Sequence, residues 1–408
     1  MPTIMDLPQE LLELVFEHLI APYLGPLHEQ GYRPNSVART VSRMRLVCRA
    51  WAAWLYEHHL YHTLWFESST PCLAFLDHIR SHRSRMDGPR PKCRYLMVFS
   101  LWTHDQRILV EPPRSYLITP EILESLILLF SDSIITLHLG FVDFFGLPSQ
   151  TIKAMGGIKN LCTLRLDPDS DNLDKDNTYW WDDDDEEWDV SMEANASCLN
   201  SLLMQAQALK SLEVGLPVRF PSMPAADLQN TAAARYPPIT YLKVDTMSLS
   251  PDVLLNLSRA LKPTLKLLSI RDFSADRHAD LFVPVYETLK DTLEGLSVIC
   301  TESAQQIRHL CFPKLRVLAI HWLSDFSLFS KPIFSQSAIE TVAINSSYML
   351  LEGLPRDAFS HLSHLKQFVI MDAPLDYTPP QMWLDACEAR RVKYINMYQS
   401  DLSLLMRL

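Results

Sequence analysis

The stretch LSPDVLLNLSRALKPTLKLLSIR, Leu249–Arg271, holds both halves of a repeating unit. Ser250-Pro251-Asp252 is a helix start: a capping side chain, then proline where its missing N–H costs little, then an acid in the first turn. Val253, Leu254, Leu257 and Leu261 share one helical face, and Pro263 stops the helix. In LKLLSI that follows, Leu265, Leu268 and Ile270 form the pattern apolar-x-x-apolar-x-apolar. Its last two positions alternate as they do on one face of a short strand.

The same hexad recurs along the chain. It stands at Cys93/Leu96/Val98, Ile134/Leu137/Leu139, Leu161/Leu164/Leu166, Leu209/Leu212/Val214 and Ile239/Leu242/Val244. Beyond Leu265 it returns at Leu293/Leu296/Val298, Leu315/Leu318/Ile320, Ile339/Val342/Ile344, Leu365/Phe368/Ile370 and Val392/Ile395/Met397. From Leu209 onward the starts lie 30, 26, 28, 22, 24, 26 and 27 residues apart. One hexad means nothing; seven intervals clustered this way define a repeat. Other helix starts fit between the hexads, at Thr119-Pro120-Glu121 and after Pro379, where Met382, Trp383, Ala386 and Cys387 precede Arg390-Arg391. No unit can bury its apolar side alone, so neighbours must stack into a parallel sheet with helices outside. The pattern resembles the leucine-rich repeat in an irregular form, a horseshoe with its parallel sheet on the concave face. The asparagine usual after such a strand is mostly missing, although Asn345 stands in the corresponding region. No glycine-rich turn follows any hexad, which argues against a doubly wound nucleotide-binding sheet.

Ahead of the repeats, LPQELLELVF (Leu7–Phe16) reads as a short amphipathic helix, with Asp6 as cap and Pro8 in its first turn. A second apolar-periodic segment carries Val37, Val41 and Met44, and a third Val47, Cys48, Trp51, Trp54 and Leu55. Leu7-Pro8, Glu10, Leu11-Leu12, Val15-Phe16 and Leu19, then Val47-Cys48-Arg49 with Trp51, resemble the F-box. The pair Leu64-Trp65 matches the usual end of that motif. The link Pro22–Asn35 is longer than common, so the register of the second helix departs from the pattern. The expected architecture is therefore α/β: a three-helix F-box over 1–66 and a leucine-rich-repeat-like solenoid over 67–408.

One segment breaks the period, an acidic insertion over 167–198. Residues 167–189 hold twelve acids and one lysine, a charge of −11 that equals the net charge of the whole 408-residue chain. Such a block repels itself and is expected to be a solvated, disordered insertion tacked down by Trp180, Trp181 and Trp188, or else an acidic-aromatic surface for a basic partner. The eight cysteines are scattered without a C-x-x-C pair, which fits neither a zinc site nor a disulfide framework and suits a reducing cytosol or nucleus. No apolar run is long enough to cross a membrane, and the N-terminus lacks the basic-then-apolar pattern of a signal peptide. No phosphate-binding, dinucleotide, zinc-protease or nucleophile-elbow motif occurs. His58 and His62 read as surface histidines rather than a metal pair. The short basic run Arg39, Arg43, Arg45, Arg49 reads as a solvated helix face or a surface for an acidic protein, not a nucleic-acid interface.

The resemblance implies a non-catalytic substrate receptor of an SCF-type ubiquitin ligase, with no cofactor and no metal. The F-box would bind a Skp-type adaptor, and through it a cullin-RING ligase, using Leu7, Pro8, Leu11, Leu12, Val15, Phe16, Val47, Cys48 and Trp51. The alternatives are a scaffold that binds the adaptor without delivering a target, and an enzyme with an unrecognised site. In a horseshoe, residues flanking the last apolar pair of each hexad face away from the helices. Those expected to hold a target protein are Lys243, Asp245, Arg271, Ile299, His321, Asn345, Met371 and Tyr398, with the apolar anchor in the later repeats. A competing expectation is that the C-terminal DLSLLMRL folds back over part of this face as an end cap.

Overall fold

The computed structural model of the chain describes residues 49–83, 90–103, 115–143, 146–169, 196–215, 236–246, 249–271, 279–323, 336–345, 359–374, 377–398 and 401–408, with isolated positions elsewhere. The described residues fall in two compact units. The first holds those up to Leu164 together with Pro168 and Asp169; the second holds Arg165–Asp167 and those from Ala196 on.

In the first unit, α1 (Arg49–His58) leads into β1 (Thr63–Phe66), α2 (Ser69–Arg83), β2 (Tyr95–Trp102), α3 (Pro120–Phe130), β3 (Thr136–Asp143), α4 (Ser149–Gly156) and the start of β4 (Thr163–Pro168). β1, β2 and β3 are parallel neighbours, with Leu64 beside Leu96 and Leu96 beside Leu137. Pro120 opens α3 directly after Thr119, as its start signal predicts, and Leu123, Leu126, Ile127 and Phe130 are buried. The Leu64-Trp65 pair therefore lies in a strand of the repeat sheet. Tyr61/Leu64/Phe66 is itself a hexad, one unit ahead of the eleven read from the sequence, and its aromatic ends hid it.

The second unit contains α5 (Ala196–Gln205), β5 (Ser211–Val214), β6 (Tyr241–Asp245), α6 (Pro251–Leu261), β7 (Leu267–Arg271), a 3-10 turn at Ala279–Phe282, α7 (Val283–Leu289) and β8 (Gly295–Cys300). It continues through α8 (Thr301–Gln306), β9 (Val317–Trp322), β10 (Thr341–Asn345), β11 (Gln367–Met371), α9 (Gln381–Arg390), β12 (Lys393–Asn396) and α10 (Leu402–Leu405). β5 to β12 are parallel and follow one another in chain order. Ser250 caps α6, its hydroxyl accepting from the Val253 N–H at 3.4 Å, with Pro251 in the first turn. Leu242, Leu268, Leu296, Leu318, Val342 and Phe368 stand at one register level and are fully buried. Each such side chain contributes on the order of 1.5–3 kcal/mol, and stacking is what buries it.

The final hexad does not sit as its pattern predicts. Phe368 pairs with Tyr394 and Ile370 with Asn396, so Ile395 and Met397 face away from the helices instead of into the core. Elsewhere a strand is entered through two successive amides that donate to one carbonyl: Lys266 and Leu267 to Thr240, Lys366 and Gln367 to Glu340. At β12 only Lys393 donates to Lys366, because α9 ends on Arg391 in the left-handed conformation (φ 59°) immediately before it. One residue is lost at the entry, and a slip of one turns every side chain to the opposite face.

Candidate functional site

The face of the second unit's sheet turned away from the helices is the candidate site. Three rows of side chains cross it. Tyr241, Leu267, Gly295 and Val317 form the first; Lys243, Ser269, Ser297, Ala319, Ala343 and Val369 the second; Asp245 and Arg271, then Asn345 and Met371, belong to the third. The second and third rows are those expected from the hexads; the first, one position ahead of each alternating pair, carries no signal in that pattern.

This face is covered rather than open. The C-terminal helix α10 packs against β7, β8 and β9, with Leu402 and Leu405 each 1% exposed. They join Tyr241, Val317, Ala319, Ala343, Val369 and Met371 in one apolar cluster, with Ile395, Met397 and Met406 at its margin. Burying the two leucines contributes about 1.5–3 kcal/mol each. Of the residues expected to meet a target, Met371 is fully buried in this cluster, and Ile299 and Asn345 are buried. Asn345 Nδ2 donates to Asp372 Oδ2 at 2.6 Å, so it braces the loop after β11. His321 Nε2 lies 3.3 Å from the Ser297 hydroxyl. Tyr398 is exposed. Asn396, which pairs with Ile370 in β11, donates through Nδ2 to the Tyr377 carbonyl. The C-terminal segment does fold back over part of this face, although it lies on β7, β8 and β9 rather than capping the end strand β12.

Beside the apolar cluster lies a charged one. The nearly buried Glu213 carboxylate takes Arg165 at 2.9 Å through one oxygen and Lys243 at 3.3 Å through the other. Arg271 and Asp245 are partners in register one row further on. Burial, then the Glu213 and Asp401 carboxylates, raise the Tyr241 hydroxyl far above its ordinary range, so it stays protonated. The charges alternate in sign. They can orient a polar segment lying across β5–β7, and no nucleophile stands beside a base among them.

The first unit has its own features. On the corresponding side of its sheet, Trp65 stacks on Phe99 at 4.7 Å between centroids, and Phe99 meets His138 edge-on at 4.9 Å. Gly140 makes this packing possible, since a Cβ there would fall 2.3 Å from the Phe99 ring. A cavity of about 650 Å³ opens where β2, β3 and β4 begin, lined by Leu128, Phe130, Arg90, Arg94 and Asn160 among others. His58 and His62, expected at the surface, are half-buried with His59 between them. Burial first, then His62, His58 and Arg94, hold His59 at about 3; burial and Arg94 hold His62 at about 4. Burial pushes the thiols of Cys72 and Cys93 up to about 12, which leaves them unreactive. Among the described residues no group of three potential metal ligands is present, and no helix is long and apolar enough to cross a membrane.

Of the residues expected to bind the adaptor, Leu7, Pro8, Leu12, Phe16, Val47 and Cys48 lie outside the described residues, as does most of the acidic insertion. Leu11 and Val15 are helical and exposed, together with Leu14. Val41 is buried against Leu55 of α1, with Met44, Trp54 and Leu60 around them. Trp51 lies within α1.

Strand order, register and repeat length make this an α/β repeat protein with the leucine-rich-repeat arrangement of strand and helix. A scan against protein-family models finds no match, and neither does a search of the curated proteins. Among solved structures the chain is similar to the leucine-rich repeat-containing protein LegL7 from Legionella pneumophila. The two share 11% identity with a TM-score of 0.41, over 78% of this chain and 86% of that one.

Proposed function

We propose that the chain is a non-catalytic target receptor of an SCF-type ubiquitin ligase: its N-terminal F-box binds a Skp-type adaptor, and its repeats hold the protein to be modified. The observation that carries the reading is the pair of F-box-like blocks, Leu7–Phe16 and Val47–Trp51, set directly ahead of a leucine-rich array. Leu11, Leu14 and Val15 support it. They stand at i, i+3 and i+4 of a helix and remain 45%, 50% and 37% exposed, an apolar stripe suited to a partner's groove. No step of bond making is asked of the chain; its contribution is to hold a target's lysines near a charged conjugating enzyme.

The test is co-purification of adaptor and cullin with the tagged chain. Leu7→Ala with Pro8→Ala should lower recovery at least about tenfold, because such interfaces concentrate energy in a few apolar anchors, while circular dichroism stays unchanged. Full recovery with the folded double variant overturns the reading. Adaptor binding without accumulation of any bound protein under proteasome block would favour a scaffold that delivers nothing.

A further inference from the structure

We propose that the C-terminal segment Asp401–Leu408 is an internal ligand of the second unit's sheet face. In its place the same face accepts a partner segment of like chemistry: an acidic residue, then two aliphatic side chains three apart on one helical turn. The biological use of such a site rests on the receptor reading; the binding itself is tested separately below.

The position of α10 is the first argument. A segment that merely closed the array would lie along β12, the last strand of the unit. Instead α10 packs on β7, β8 and β9, which at strand spacing is roughly 14–24 Å back from β12. It occupies the middle of the face, where a bound segment would find most contact.

The floor beneath it is shaped for a helix turn. Gly295 and Ser297 on β8, Ala319 on β9 and Ala343 on β10 are small residues beneath it, with Leu267 and Val317 on either side of Gly295. A Cβ on Gly295 would lie 2.8 Å from Leu267 Cδ2 and 3.1 Å from Met406 Sδ, so the glycine leaves room for its sheet neighbour Leu267 and for Met406 of the segment above.

Leu402 and Leu405 carry the apolar part of the attachment. Asp401 is used within the turn, its Oδ1 accepting from the Ser403 N–H at 2.6 Å. One hydrogen bond joins the tail to the sheet, from Gln367 Nε2 to the Leu408 carbonyl at 3.0 Å. A patch held by side-chain burial over small residues is open to any segment that presents the same leucines. Asp401, like Glu213, Arg165 and Arg271, acts on the Tyr241 hydroxyl, so the acidic end of the segment lies on the Tyr241 side of the patch.

The experiment uses a fluorescent synthetic peptide of residues 399–408 as probe. Three proteins are compared: the full chain, a chain ending at Tyr398, and the full-length double variant Leu402→Asp, Leu405→Asp. The shortened chain and the double variant should bind the probe at least about tenfold more tightly than the full chain, and a probe carrying both aspartates should not bind. Equal binding by all three proteins, or none by a folded shortened chain and a folded double variant, overturns the proposal. If both altered proteins lose their circular dichroism, the tail is an indispensable part of the core and the proposal is also overturned. Adaptor recovery measured on the same proteins separates the two readings: its loss with probe binding intact sinks the receptor and leaves this site standing.

Discussion

Asp169 Oδ2 accepts from both the backbone N–H and the hydroxyl of Ser100, each at 2.8 Å, with both residues buried. Ser100 stands at φ 54° where β2 and β3 shift register, a conformation that a side chain adopts only when held. The first acidic residues of the insertion are thus not all solvated: Asp169 pins an irregular strand end, and its own N–H donates to the Phe141 carbonyl.

Asp169→Ala should therefore destabilise the protein by about 2–3 kcal/mol, since it leaves a buried amide without its charged acceptor. Asp169→Asn, which keeps an acceptor, should cost less. Urea denaturation followed by tryptophan fluorescence reads the difference. A deletion that begins beyond Asp169 should leave the midpoint close to that of the intact chain, because loop length alone weighs little.

Acid should weaken the first unit through its histidines. His59 and His62 sit near 3 and 4 in the folded chain, below the ordinary 6.5, so folding favours their neutral forms. That stability is fully present above about 6.5 and is lost as pH falls toward 4 and then 3, while the unfolded chain takes up the protons. The melting temperature should drop over this window. His59→Leu with His62→Leu should flatten the slope relative to the parent, whose carboxylates are unchanged. An identical slope in both proteins would refute the assignment.

Glu213 should behave as the keystone of the charged cluster. Glu213→Ala leaves Arg165 and Lys243 facing each other with little water, and should cost about 3 kcal/mol. Glu213→Gln should fall between that variant and the parent. The denaturation midpoint is again the measurement, and a loss that vanishes in high salt would place the three charges in solvent instead.

Much of the core was legible beforehand. Leu242, Leu268, Leu296, Leu318 and Val342 were assigned from a hexad, because a parallel strand covered by helices needs apolar residues at alternate positions and a repeat needs them at a constant interval. The same reasoning located α6 from Ser250-Pro251 and α3 from Thr119-Pro120. It missed β1 because Tyr61 and Phe66 do not look like leucines, although they fill the same places.

What the sequence determined alone is the repeat, since its period is a property of the chain. Tertiary structure decided which residues of that repeat are available. The hexad Val392/Ile395/Met397 matches the pattern, yet the tight turn at Arg391 removes one residue at the strand entry and reverses its sides. From the sequence Met371 is expected to be an exposed anchor, yet it and its neighbour Val369 are covered. They are buried because a helix over thirty residues further on returns to lie near them. Neither fact is local: a side chain's face depends on the register of the whole strand, and its exposure on what other segments choose to cover it.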